Sequence, residues 1–593
     1  MLGREIKTMA NYEYDYLSFK DLDRIKIPRF QRGLVWTAQK RRDLITTLHK
    51  DYPFGSLLVS PERNSATQLR LLDGQQRLST IRDYQKNKVA YWHNLNPEDY
   101  DAALQQINDA LAQWKQSITE KRFDELLDEK YELADWTDEY NDVPATEKKD
   151  LRDIVNGVRK QIKAYVDLDQ LKIPVIKFIG DEGDLPEVYE NLNKGGTPLT
   201  KYEIFNAVWS DDTVLLPKTG SAVPAANEIL QNVKNYYNDM AKNGSFELDD
   251  FSEDELTRTR KINLAEFGRA LGQFVVERMP ALVATTESKA NNELGFGLLG
   301  IATDTDNKNI PSLSSKAALI QQNISDILLQ SNMIARKLND IFAMLKQNIA
   351  HSSKKNAKKS PYATGLSTSF KTLSYFAALW GKTNDEMNAS IKYIPQYYVF
   401  DFLNGAWTGH GDKRLGEYYQ SVNKRNYQRP VPIDEFRRSF SRWLAENTGV
   451  KTTFSKQIQA LITIHSNFTY LAGTIPNGED YEFEHIIPKA RILTYDSKPS
   501  FVHLSSLGNG MFLPKRTNRE KKDQTIYENM DRWPSNIPRY TQFLKDSDYP
   551  ERIQFQRIFA NLRERDFDGV NSYIDERAKR VADAIVDGLM KSM

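Results

Sequence analysis

A chain of 593 residues and 68.4 kDa is too long for one ordinary hydrophobic core; typical domain size divides it into roughly three or four. Its 81 lysines and arginines nearly cancel 80 aspartates and glutamates, which excludes a uniformly basic nucleic-acid coat or an acidic tail-like protein but says nothing of local patches. Hydrophobic residues at 40% argue against wholesale disorder, and the absence of cysteine excludes disulfide scaffolds, cysteine nucleophiles, thiolate zinc sites and iron–sulfur clusters together.

The first sixteen residues hold no apolar core of a signal peptide, and no run approaches the roughly 18 apolar residues of a membrane span, so a soluble cytoplasmic protein is expected. The first two hundred residues read as mixed α/β. Ser56–Ser60 and Gln68–Leu72 are short apolar runs on either side of the polar stretch Pro61–Ser65, which predicts a hairpin. Asp73-Gly74 ends the second run, and Leu78, Ile81 and Arg82 follow at helical spacing. A glycine after a strand, opening a helix, exposes backbone N–H groups where the helix dipole favours an anion. Arg77 one turn in, with Arg32 arriving from the segment Ile27–Trp36, would complete a phosphate clamp, and Asp73 could bind a metal or orient water. The plainer alternative is a turn at Asp73-Gly74 followed by a polar helix start.

A charged helical stretch at about 97–165 looks like an insertion before the next strand, Ile173–Ile179. From about 211 to 450 the periodicity is helical, and Ile320 to Ile349 marks one face of a helix up to about 35 residues long. The segment 281–315 is weakly patterned. Within it, Gly295–Gly300 fits GxGxxG, but no strand precedes it, so the dinucleotide-binding reading lacks its context. His49, His93 and His410 are isolated. The last 140 residues change again: a helix through Phe454–His465, a strand through Tyr481–Pro488, and a closing amphipathic helix on Ile574, Ala578, Val581 and Ile585.

Phosphodiester hydrolysis needs a base to activate water, a hard cation at the leaving oxygen and cationic groups for the phosphate. Glu484-His485, then Gly508-Asn509, then Asn518 among Lys515, Arg516, Arg519 and Lys521 supply that set within one short stretch. Mg²⁺ is the natural ion for such oxygens. The charge agrees: 8 basic residues face 4 acidic ones between Glu482 and Lys522, whereas 11 acidic face 3 basic between Glu120 and Glu147.

The ordered set EHIxPK, GN and N with basic residues resembles the His-Me finger (HNH, ββα-metal) nucleases, in particular the nuclease domain of the GmrSD family of restriction enzymes. The resemblance implies His485 as general base, Asn509 as the residue orienting it, Glu484 and Asn518 as metal ligands, and Lys515, Arg516, Arg519 and Lys521 as phosphate contacts. Many relatives carry aspartate where this chain has Glu484. The motifs PxFQR…W at 28–36, DGQQRLST at 73–80 and Tyr189–Glu203 occur in the order of the DGQQR domain that begins such proteins, whose core is similar to the ParB nucleotide-binding fold. That resemblance implies a site for a nucleoside triphosphate, GTP or ATP, at Gln31, Arg32, Asp73, Gly74, Gln75, Gln76 and Arg77, with Asn191, Asn193 and Lys194 as further candidates from the later motif.

The expected fold is therefore a helix-rich, multidomain α+β protein: a ParB-like domain at 1–210, a helical connector at 211–450 and a ββα-metal nuclease domain at 451–593. The expected function is a nucleotide-regulated, Mg²⁺-dependent endonuclease acting on modified double-stranded phage DNA, similar to the fused BrxU-like members of the family. Two alternatives stand beside it: an SspE-like NTPase and nicking nuclease stimulated by phosphorothioate DNA, and a non-catalytic DNA-binding regulator. One finger cuts one strand, so a double-strand break would call for a homodimer or two encounters.

Overall fold

The computed structural model describes residues 12–27, 36–62, 65–180, 209, 212–243, 252–283, 288–343, 345, 350–351, 360–361, 366–472, 481–497, 500–528 and 540–591. Their contacts divide the chain into two compact units, Met1–Asp211 with Asn235–Glu253, and Asp212–Lys234 with Asp254–Met593. Among the described residues no helix is long and apolar enough to cross a membrane.

The first unit is built on a five-stranded mixed sheet. Its strands are β1 (Tyr12–Leu17), β2 (Ile25–Lys26), β3 (Leu57–Glu62), β4 (Ser65–Asp73) and β5 (Ile173–Phe178), in the spatial order β1-β5-β3-β4-β2. The predicted hairpin is β3–β4, antiparallel from Leu58↔Asp73 outward; β5 lies parallel to β3, and β2 parallel to β4. Helices α1 (Ala38–His49) and α2 (Gln75–Lys86) cover the sheet, and Ile45, Leu57, Val59, Leu71, Leu78 and Ile81 are buried in that core.

After α3 (Lys88–Leu95), the insertion expected at about 97–165 folds as helices α4 (Pro97–Ala112), α5 (Glu120–Leu127), α6 (Leu133–Asp138) and α7 (Ala145–Tyr165). These close a second core around Trp92, Tyr100, Phe123, Leu126, Trp136 and Val155. The acidic charges therefore decorate the outside of a packed helical piece whose apolar stripes face inward.

In the second unit, α8 (Leu264–Arg278) and α9 (Ser288–Ala302) cross with their backbones in contact. A Cβ on Gly272 would lie 1.7 Å from the carbonyl oxygen of Asn291, and one on Gly295 would lie 1.7 Å from that of Gly268. The GxGxxG segment is thus the middle of a buried helix, and its glycines serve helix packing. From Asn291 to Gly300 every residue except Glu293 is buried, so the segment has no polar face to give it a helical period.

The long periodic helix is two helices. Ala317–Gln322 ends at Asn323, whose Nδ2 donates to the carbonyl of Leu319 at 3.0 Å, and α10 (Ile324–Ala343) follows. The apolar stripe continues through the break, since Ile320, Ile324, Ile327, Ile334 and Leu338 are all buried. The unit closes with α11 (Lys456–Phe468), the antiparallel pair β6 (Tyr481–His485) and β7 (Gly510–Pro514), α12 (Lys515–Lys521) and α13 (Phe567–Lys591).

Candidate active site

In the first unit the DGQQR segment sits where β4 turns into α2. Gly74 caps the helix at φ 99°, a left-handed conformation that a side chain resists, and a Cβ there would meet Leu57 Cδ2 at 2.6 Å. Asp73 closes the strand, and Arg77 Nη2 reaches back to its Oδ2 at 3.3 Å. The same guanidinium lies over Gly55, where a Cβ would come within 2.2 Å of Nη1, while its buried Nε has no acceptor among the described residues. Gln75 is 7% exposed, and Gln76 Oε1 accepts from the backbone N of Trp36 at 3.1 Å. Asp73, Gly74, Gln75, Gln76 and Arg77 are thus gathered at one helix N-terminus. Gln31 and Arg32 lie outside the described residues, as do Asn191, Asn193, Lys194 and the whole 189–203 motif.

The second unit brings the C-terminal set onto a long-looped hairpin, its strands β6 and β7 joined through the helix Lys489–Tyr495 and followed by α12. His485 ends β6 opposite Gly510, the first residue of β7, and Glu484 pairs with Met511. Gly510 is required by what lies against it: a Cβ would sit 2.3 Å from Ile462 Cδ1 and 3.3 Å from Phe454 Cε1. The His485 ring stacks on Phe454, centroids 4.2 Å apart and planes 19° apart. Its Nε2 is buried and has no hydrogen-bond partner among the described residues, a costly state for a polar atom. Burial, helped by Lys489 and Lys521, holds the imidazole down at about 4, so it is neutral near pH 7.

Asn509 is 1% exposed and reaches the histidine through the main chain. Its Oδ1 accepts from Ile487 N at 2.8 Å, its backbone oxygen from Ile486 N at 2.9 Å, and its Nδ2 donates to Leu504 O at 2.8 Å. These bonds fix the direction in which the chain leaves His485.

On the other face of β6, Glu484 is paired with the ammonium of Lys521, whose side chain is 1% exposed. Burial raises the Glu484 pKa and Lys521 opposes that rise. Lys521 is therefore directed at a carboxylate inside the fold. Asn518 Nδ2 donates to Glu482 Oε2 at 3.2 Å, with Lys515 at 3.9 Å and Arg519 at 3.6 Å from Glu482 Oε1. The Arg516 and Arg519 side chains are 80% and 69% exposed, open to a polyanion.

Among the described residues no three His, Asp or Glu side chains gather into a multi-acid metal cage. The donor set fits an ion held by one carboxylate and water, the habit of Mg²⁺. Glu482, Glu484 and the Oδ1 of Asn518 are the oxygens on that side of the strand, with Glu484 engaged by Lys521 and Glu482 by Asn518 Nδ2.

Residues 14–210 match the family described as GmrSD restriction endonuclease, N-terminal domain. The first third of the chain is similar to that domain. No curated protein matches the chain. The match takes in the whole sheet of the first unit except the first two residues of β1, and it ends ahead of the hairpin that carries His485.

Two residues of this site escaped the sequence. Glu482 stands two positions before Glu484 and so shares its strand face, a signal the period of two carries. Phe454 comes from the residues before α11, and nothing in its spacing marks it as the stacking partner of His485.

Proposed function

We propose that this protein is a nucleotide-regulated DNA endonuclease, a cytoplasmic restriction enzyme of the modification-dependent kind that cuts phage DNA with the His485 hairpin as its His-Me finger. The observation that carries this is His485, its buried Nε2 without a partner among the described residues, at the end of a strand whose neighbouring helix presents exposed arginines. The similarity of residues 14–210 to a restriction endonuclease domain supports the same reading.

In this mechanism the neutral ring of His485 takes a proton from water at the nitrogen that carries no hydrogen. Its low pKa keeps that neutral form populated at pH 7, and an approaching phosphate raises its basicity. Asn509 holds the main chain beyond the histidine, and stacking on Phe454 holds the ring plane. Arg516 and Arg519 receive the DNA backbone, and Lys515 joins them once the phosphate displaces its contact with Glu482. Mg²⁺, held by Glu484 and Asn518, would supply charge stabilisation at the leaving oxygen. For that, Glu484 must exchange its contact with Lys521.

The first unit supplies control. Backbone N–H groups at the start of α2, with Arg77 over Gly55, form the phosphate end of a nucleoside triphosphate site, GTP or ATP.

The deciding experiment is cleavage of glucosylated, phosphorothioate and plain DNA by wild type and His485→Ala, with Mg²⁺ or EDTA and with each nucleotide. Cutting by wild type, lost in the variant and in EDTA, is expected. Equal cutting by both proteins would sink the assignment, and DNA binding without any cutting would leave a non-catalytic regulator.

A further inference from the structure

The closing helix carries a cation on its apolar side. Arg577 follows Ile574 by three positions and precedes Val581 by four, so it shares the stripe that packs inward. It is 2% exposed, and burial pushes its pKa down to about 10. A guanidinium taken out of water is tolerated only where its donors find acceptors. Here the acceptors are backbone carbonyls. Nη1 donates to Gly508 at 2.9 Å and to Gly510 at 3.2 Å, Nη2 to Ser547 at 2.7 Å, and Nε to Asp548 at 2.8 Å.

Gly508 and Gly510 are the neighbours of Asn509. The fork therefore grips the chain immediately before and after the residue that binds Ile486 and Ile487, and Gly510 is also the register partner of His485. The helix touches the turn without any side chain between them: a Cβ on Gly508 would lie 1.8 Å from the carbonyl oxygen of Ile574.

We propose that Arg577 is the positioning residue of the candidate nuclease site, fixing the Gly508–Gly510 turn so that Asn509 holds the main chain beyond His485. The proposal rests on the endonuclease function argued above. It touches neither water nor phosphate; it acts through two carbonyls and one asparagine. Lysine keeps the charge but is a point donor and cannot span Gly508, Gly510 and Ser547 together.

Arg577→Lys and Arg577→Gln test it. Both are expected to melt cooperatively, and their kcat at saturating DNA should fall about 100-fold, the scale of a misplacement near 1 Å, while KM stays within about twofold. Amide exchange at Ile486 and Ile487 should quicken roughly tenfold beyond any change in the rest of the unit. A wild-type kcat per folded molecule, or a loss confined to KM, overturns the proposal.

A second measurement needs no variant. In the wild-type protein the amides of Ile486, Ile487 and Gly510 should open together with those of 574–581 as one event; separate opening overturns the proposal even where neither variant folds. If wild type makes no cut, or His485→Ala cuts as well as wild type, the endonuclease function fails. The exchange data then still decide whether Arg577 fixes the turn.

Discussion

The two candidate sites differ in the kind of polar atom they leave unpaired. At the DGQQR turn, Asp73 and Arg77 pair with each other and Gln76 is bound to the backbone of Trp36, and what lacks a partner among the described residues is a donor, the buried Nε of Arg77. At the C-terminal hairpin, Glu484 and Glu482 are likewise neutralised from α12, but the imidazole on the opposite face is left with a buried nitrogen that bonds to nothing among the described residues. Self-pairing suits a site that waits for a ligand and exchanges partners when it arrives. An imidazole with no resident donor among the described residues suits a site that must accept a proton, since such a donor would occupy the lone pair the reaction needs.

The largest expected effect separates the two regions outright. His485→Ala should lower DNA cleavage by about 10²- to 10⁴-fold, the usual worth of a positioned base, with nucleotide turnover unchanged. A parallel loss of turnover would show that the histidine is needed for the fold. The reciprocal variants Asp73→Ala and Arg77→Ala should each cut nucleotide turnover at least about tenfold, because a charge-assisted contact to phosphate is worth on the order of 1.5–3 kcal/mol. Turnover at wild-type rate would move the nucleotide site away from this turn.

Next comes backbone strain. Gly74→Ala must hold a side chain at φ 99° and push Leu57 aside, so it should cost about 1–3 kcal/mol by urea unfolding. A neutral substitution would mean that the turn is softer than its geometry requires.

The smallest effect is on pH dependence. Burial holds His485 at about 4 and His465 at about 3, against an ordinary 6.5 in the unfolded chain. Below pH 6.5 the unfolded chain takes up protons that the folded chain refuses. Their contribution is therefore complete above that pH and lost as the pH falls toward 4 and 3. Glu484, raised by burial, works in the opposite sense. Comparing wild type with His485→Gln isolates the imidazole, and the variant should lose on the order of 1 kcal/mol less stability per pH unit across that window. Identical profiles would mean that His485 is solvated.

Much of the architecture was legible because local chemistry and long-range packing agree. Two apolar runs around a polar stretch became β3–β4, Asp73-Gly74 became the cap of α2, and the Glu484–Lys521 sequence became a hairpin and a helix. The misreadings share a cause. Periodicity reports where a helix meets solvent, so α9, buried on nearly all sides, looked unpatterned, and a one-residue break at Asn323 was invisible because the stripe runs through it. At the site, the residue types were legible but their partners were not. Lys521 read as a phosphate contact and is placed against Glu484, and the link from Asn509 to His485 runs through the amides of Ile486 and Ile487.

Asn509 has one more consequence, for how the protein ages. Asparagine before glycine is prone to deamidation, because the next backbone nitrogen can close onto the side-chain carbonyl. Here Gly510 N is engaged with Leu507 O, and both ends of the Asn509 amide are bonded within a buried turn. Folding therefore shields the bond. Stored folded protein should keep an intact Asn509 by peptide mass spectrometry, while chains held in urea accumulate isoaspartate and aspartate there. Such chains would refold with a carboxylate in place of the amide that donates to Leu504 O, and in the isoaspartate with the backbone lengthened by a methylene, lesions that should erase cleavage and spare the DGQQR turn.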